Sequence, residues 1–225
     1  MTDPPDPPAW LTALVAALGE GQDPATVPAW TCRVRGELDR LAGRVPFQVV
    51  YDWHAHLFGP TRNGTGEPHR LVGGLHQRVQ AGERIEAAEW ASALRPALRE
   101  LYRAAYPYTA AHAVAYANAH AYATANGYSA DEVVEYAGFY ADLSTNANVT
   151  AQADANAIAN ANALGAALAL ADERAYAETY PAALVRAHAL AEANRTDAPG
   201  AQQALRAAYG RLADALADCL SRVAV

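Results

Sequence analysis

The amino-acid sequence predicts an all-α protein, an antiparallel bundle of alanine-rich helices preceded by a smaller N-terminal helical section. Three observations predict it. Leucines and tryptophans recur at i, i+3, i+4 and i+7 through much of the chain. Alanine, the strongest helix former, supplies nearly half of a hydrophobic fraction of 52%. Capping residues, prolines and glycines then mark where helices begin and end.

Residues 1–8, Met-Thr-Asp-Pro-Pro-Asp-Pro-Pro, read as a disordered lead. The N-terminal section spans 9–58. Leu11, Leu14, Val15 and Leu18 form the apolar face of a first helix that stops at Gly19 and Gly21. A second starts near Pro28 with Trp30, Val34, Leu38 and Leu41 on one face, and a third at Pro46 with Val50, Trp53, His54 and Leu57. Residues 59–68, rich in glycine and proline, are a loop and a candidate boundary. The alanine-rich bundle is assigned to 69–225.

Within the bundle a first helix carries Leu71, Leu75 and Val79, and Gly73-Gly74 inside it reads as a point of close packing. The next carries Trp90, Leu94, Leu98 and Leu101, with Pro96 expected to kink it. Alanine then alternates with larger residues through 111–125 and 147–163. Alternation is formally a strand signal, but Ala and Asn are both depleted in strands and no fixed repeat builds a β-solenoid. Helix is the reading adopted. Ser129 and Glu132 form a capping box opening a helix that ends near Asp172. Thr196-Asp-Ala-Pro199 is read as the cap of a last helix, with Leu205, Tyr209, Leu212, Leu216 and Leu220 along one face. Two segments echo one another: Tyr102-x-x-x-Tyr106-Pro107 and Tyr176-x-x-x-Tyr180-Pro181. In each the proline kinks or restarts a helix.

Alanine buries little area, so the core needs large anchors; the candidates are Trp10, Trp30, Trp53, Trp90, Leu94, Leu98, Leu212 and Leu216. The chain has 225 residues, enough for a sizeable core, and a formal net charge of −7. Its arginines are scattered singly and form no basic face, so nucleic acid is not an expected partner. All 17 basic residues are arginine. That excludes a Schiff-base lysine, a P-loop lysine and a lysine general base, because arginine stays charged. Cys32 and Cys219 have no paired spacing, and the N-terminal residues lack a signal-peptide pattern, so a cytoplasmic location is expected. No apolar run approaches the ~20 residues of a membrane helix, and no membrane partner is expected.

Two groups of side chains are candidates for function. Asn148, Gln152, Asn156 and Asn160 recur at i, i+4, a polar ladder flanked by alanines. One reading is a ligand-binding pocket. The other, favoured because amides are poor catalysts, is a buried interhelical amide network that fixes register. His112, Tyr116 and His120 share a helix face and are the catalytic candidates, as a Tyr–His proton relay or else as aromatic packing.

No metal and no cofactor are expected. His54 and His56 are i, i+2, while His69 and His76, like His112 and His120, are about two turns apart. Asn146, Thr150 and Asp154 have metal-motif letters, but Asp131, Glu132 and Glu135 would lie on the same helix and could not face them. No serine-nucleophile motif or phosphate loop is present. The functional expectation is a non-enzymatic homo-oligomeric scaffold or accessory protein that associates with itself. Its alternative is a small-molecule-binding protein or cofactor-independent enzyme with a Tyr/His/Asn pocket between the alanine-rich helices.

Overall fold

The computed structural model describes residues 6–59, 66–195 and 200–224, and among these every regular element is a helix. In chain order they are α1 (Ala9–Gly21), α2 (Val27–Arg40), α3 (Gln48–Leu57), α4 (Glu67–Gln80), α5 (Ala87–Ala105), α6 (Tyr108–Ala125) and α7 (Ala130–Thr145). A π-helical turn, Asn146–Thr150, joins α7 directly to α8 (Ala151–Leu170). Then follow α9 (Glu173–Glu178), α10 (Pro181–Ala193) and α11 (Ala201–Ser221). The Thr196–Pro199 cap, residues 1–5 of the lead and most of the 59–68 loop lie outside the described residues.

All eight expected anchors are buried, and they belong to one core. That core is shared by the N-terminal helices and those after the loop. α1 packs on α9, α10 and α11, while α2 and α3 pack on α11. Each fully buried leucine contributes about 1.5–3 kcal/mol. A few directional bonds fix the pairing. The Trp30 indole donates to the Ala213 carbonyl at 2.9 Å, and Arg40 donates to the Leu220 and Val223 carbonyls, each at 2.8 Å, closing the end of α11.

The alternating stretch 147–163 is helical for a reason visible in its period. On a helix, residues four apart share a face, so a period-two pattern becomes stripes of one residue class. Ala153, Ala157 and Ala161 form the buried stripe of α8 and pack closely on α5. Gly165 extends that seam: a Cβ there would sit 2.8 Å from the Ala87 carbonyl oxygen and 3.0 Å from the Ala91 nitrogen. On one flank of the seam Asp154 pairs with Arg99 at 3.0 Å and Arg103 at 3.1 Å.

Two details differ from expectation. Leu71 is 52% exposed, because α4 turns His69, Val72, Leu75 and His76 to the core instead. Hydropathy alone ranks leucine ahead of histidine, yet here the imidazoles are the buried groups. A Cβ added at Gly73 or Gly74 would meet nothing within 4 Å among the described residues, so they are not a close-packing point there; Gly165 and Gly21, the latter against the Tyr209 ring, are.

α6 and α7 pack on each other as a hairpin arm, with Ala119 and Ala123 meeting Val133, Ala137 and Ala141. The tip turns at Gly127, whose φ of +79° suits glycine. The expected capping box follows: Glu132 accepts from the Ser129 N–H at 2.9 Å and from the Ser129 hydroxyl at 2.7 Å. From Ala130 to Leu170 the backbone is one helical run, about 60 Å long at 1.5 Å per residue. Its first half belongs to the arm and its second half to the body.

Candidate functional site

The root of the arm is where the two halves part. The π-helical turn at Asn146–Thr150 lets one continuous helix present alanines first to α6 and then to α5. A groove of about 560 Å³ opens beside it, between α5, α8 and the start of α10. All four ladder amides line it: Asn148, Gln152, Asn156 and Asn160. Tyr102 and Tyr106 stand opposite from the end of α5, and Thr179 and Tyr180 come from the turn before α10. Leu164 and Leu184, both buried, form part of its apolar floor.

The ladder's geometry follows from the helical repeat. Four residues turn about 400°, so successive amides drift ~40° around α8. Asn160 therefore lies nearest the buried seam, and Asn156, Gln152 and Asn148 swing progressively outward. Asn160 is half-buried and the other three are exposed. The Asn160 amide donates to the Tyr102 hydroxyl, and burial pushes the Tyr102 phenol up against the opposing pull of that bond. Asn148 donates to the Ser144 hydroxyl at 3.2 Å on its own helix. Among the described residues, the interhelical amide bonding expected from the sequence is confined to the Asn160–Tyr102 pair. The alanine stripe, not the amide stripe, takes the close contact with α5, because alanine permits the approach without desolvating a polar group.

The two Tyr-x-x-x-Tyr-Pro segments converge here. In the first, α5 ends at Ala105, Tyr106 breaks the helix and Pro107 precedes α6. Asn194, at the C-cap of α10, donates to the Ala104 carbonyl at 2.9 Å and the Ala105 carbonyl at 3.1 Å, holding that break in place. In the second, Tyr180 has φ +54° and ψ +59°, and Pro181 starts α10. A left-handed non-glycine residue costs about 1–2 kcal/mol. This one is a tyrosine 77% exposed at the groove's mouth. Tyr106 also borders a second cleft of about 680 Å³ across the root, lined by alanines, Val114 and Val149 together with Asn118, Tyr140 and Ser144. The two openings share Tyr106, Ala111, Asn148 and Val149.

The other expected group, His112, Tyr116 and His120, lies along the arm and lines neither opening. His112 bonds Asp142 of α7 at 3.0 Å and stacks on Tyr108, while the Tyr116 and His120 rings pack 6.1 Å apart. The three do not converge on a cavity.

Four other histidines do cluster, and sequence spacing did not reveal it. His54, His69, His76 and His188 are all fully buried. His54 Nε2 bonds the Tyr176 hydroxyl at 2.8 Å, and its ring lies 5.8 Å from that of His76. Burial holds His54 at about 3, and burial together with the neighbouring His54 holds His76 well below its ordinary value. Burial also lowers His69, against the pull of Glu100 at 3.3 Å. His54 and His76 are thus neutral core imidazoles. Among the described residues no group of three or more His, Cys, Asp or Glu is placed to hold a metal ion. Asp154 faces its two arginines. No described helix is long and apolar enough to cross a membrane.

Comparison with known protein families, with curated proteins and with solved structures finds no match for this chain.

Proposed function

We propose that this chain is a non-catalytic binding protein that holds an uncharged, hydroxyl-rich, sugar-like small molecule in the groove at the arm's root. The observation that carries the reading is that the whole i, i+4 ladder lines one groove with Tyr102, Tyr106 and Tyr180. An amide offers a donor and an acceptor at one position, which matches a hydroxyl. Exposed tyrosine rings supply flat apolar faces. None of the side chains lining the groove is charged, which favours a neutral ligand and argues against acid–base chemistry there. Its volume lies in the ordinary range for small-molecule sites, roughly 300–1,000 Å³.

Isothermal calorimetry with neutral mono- to tetrasaccharides tests the reading. Binding by the parent protein that Asn156→Leu removes is the expected result; a parent that binds none of them refutes it. Self-association is a second reading, carried by Val114, Val134 and Leu143, all exposed along the arm. Sedimentation at micromolar concentration giving only the 23.8 kDa monomer counts against it. A reducing, cytoplasmic setting fits both readings, since Cys32 and Cys219 are free thiols.

A further inference from the structure

The arm's tip carries a different chemistry from its root. Between Arg103 and Arg174 the sequence contains no arginine or lysine, whereas α7 alone carries Asp131, Glu132, Glu135 and Asp142. α6 and α7 pack on each other, so the basic residues of the body do not neutralise the tip through any extensive helix contact. On the outer face of α7 a cleft of about 320 Å³ is lined by Tyr128, Glu132, Glu135, Tyr136 and Phe139. Phe139 is 69% exposed. Leaving so large an apolar ring in water is costly unless something covers it.

The spacing builds the cleft. Glu132 and Tyr136 are one turn apart, as are Glu135 and Phe139, so each carboxylate stands beside an aromatic ring on one helix face. Tyr128 meets Tyr136 edge-on, with ring centroids 5.7 Å apart. Glu132 is pinned by the capping box and held below its ordinary carboxylate value by the Ser129 bonds, so it stays ionised. Glu135 has no partner among the described residues and is exposed.

We infer that this cleft is a docking site for the guanidinium of an arginine on a partner protein. Negative charge without a local cation calls for a cation. Ring faces beside it call for one that stacks. A guanidinium is planar, weakly hydrated and able to donate two parallel hydrogen bonds to a carboxylate while lying on an aromatic ring. An ammonium is a strongly hydrated point charge and uses the rings less well.

The test is fluorescence anisotropy of a labelled arginine–glycine peptide with the full-length protein, beside matched citrulline–glycine and lysine–glycine peptides. The arginine peptide is expected to bind, citrulline to weaken binding more than tenfold and lysine to weaken it several-fold. Glu135→Gln and Phe139→Ala each lower affinity by about three- to tenfold, as expected for single charge and cation–π contacts. Both residues lie away from the α6 contact, and an unchanged circular dichroism spectrum checks that the arm still folds. No binding, equal binding of the lysine peptide, or undiminished binding by both variants overturns the assignment. The last result would mark a diffuse attraction to the acidic surface.

Discussion

The ladder makes a graded prediction, because its four amides are chemically alike but stand at different depths. Asn156 is exposed and makes no side-chain hydrogen bond among the described residues. Asn156→Leu therefore leaves no buried partner unpaired and replaces a poor helix former by a good one, worth a few tenths of a kcal/mol in favour of the helix. The expected change in stability is within about 0.5 kcal/mol, a shift of only 1–2 °C for a chain of this size. Asn160→Leu differs: it strips the Tyr102 hydroxyl, on a side chain only 8% exposed, of its bond. An orphaned buried hydroxyl costs about 1–3 kcal/mol, or several degrees. Thermal melts followed by circular dichroism at constant pH and salt compare the two variants with the parent. A loss of more than about 5 °C in Asn156→Leu would mean that the amide is packed against something, and would refute the open-groove account.

Further predictions bear on the scaffold around the groove. Gly165→Ala forces a Cβ against the α5 backbone at 2.8 Å and should lower stability by about 1–3 kcal/mol. Gly74→Ala, in open space inside α4, should raise it by up to ~1 kcal/mol; equal melting of the two variants would contradict the α5–α8 contact. Tyr180→Gly relieves a left-handed residue, so it should leave the melting temperature unchanged or higher while weakening ligand binding; a marked loss of stability would make Tyr180 a packing residue. For the buried histidines the unfolded chain binds protons below its ordinary value of 6.5, while folded His54 does so only near 3. Stability is therefore full above pH 6.5 and falls as the pH is lowered, by about 1.4 kcal/mol per pH unit for each such group. Denaturant titrations at pH 7.5 and 5 should show a clear loss, which His54→Phe reduces; a flat profile would place solvent around the ring.

Much of the fold was legible because periodicity reports burial directly. The eight large anchors, the capping box at Ser129 and the restarts at Pro107 and Pro181 could be read from local pattern, and each stands where the pattern puts it. The ladder could be read as a stripe, but its depth could not. Depth depends on which neighbouring stripe takes the seam, and that is decided between α8 and α5, 58 residues apart at the Asn160–Tyr102 bond. The histidine cluster was hidden for a similar reason. His54, His76 and His188 come from three helices, and spacing within one helix carries no information about their meeting. The Tyr-x-x-x-Tyr-Pro echo was visible as a repeat; only the packing of α9 beside α8 brings Tyr180 to the groove that Tyr102 and Tyr106 line, while Tyr176 is buried against His54.

The most direct test of the groove is a titration with a neutral oligosaccharide followed through the side-chain amide resonances of ¹⁵N-labelled protein. Asn126 at the arm's tip and Gln22 at the end of α1, each bonded to its own helix, serve as internal references. The account predicts saturable shifts at Asn148, Gln152 and Asn156, with both references still. A spectrum in which the ladder amides stay in place while shifts appear elsewhere, or nowhere, would contradict it.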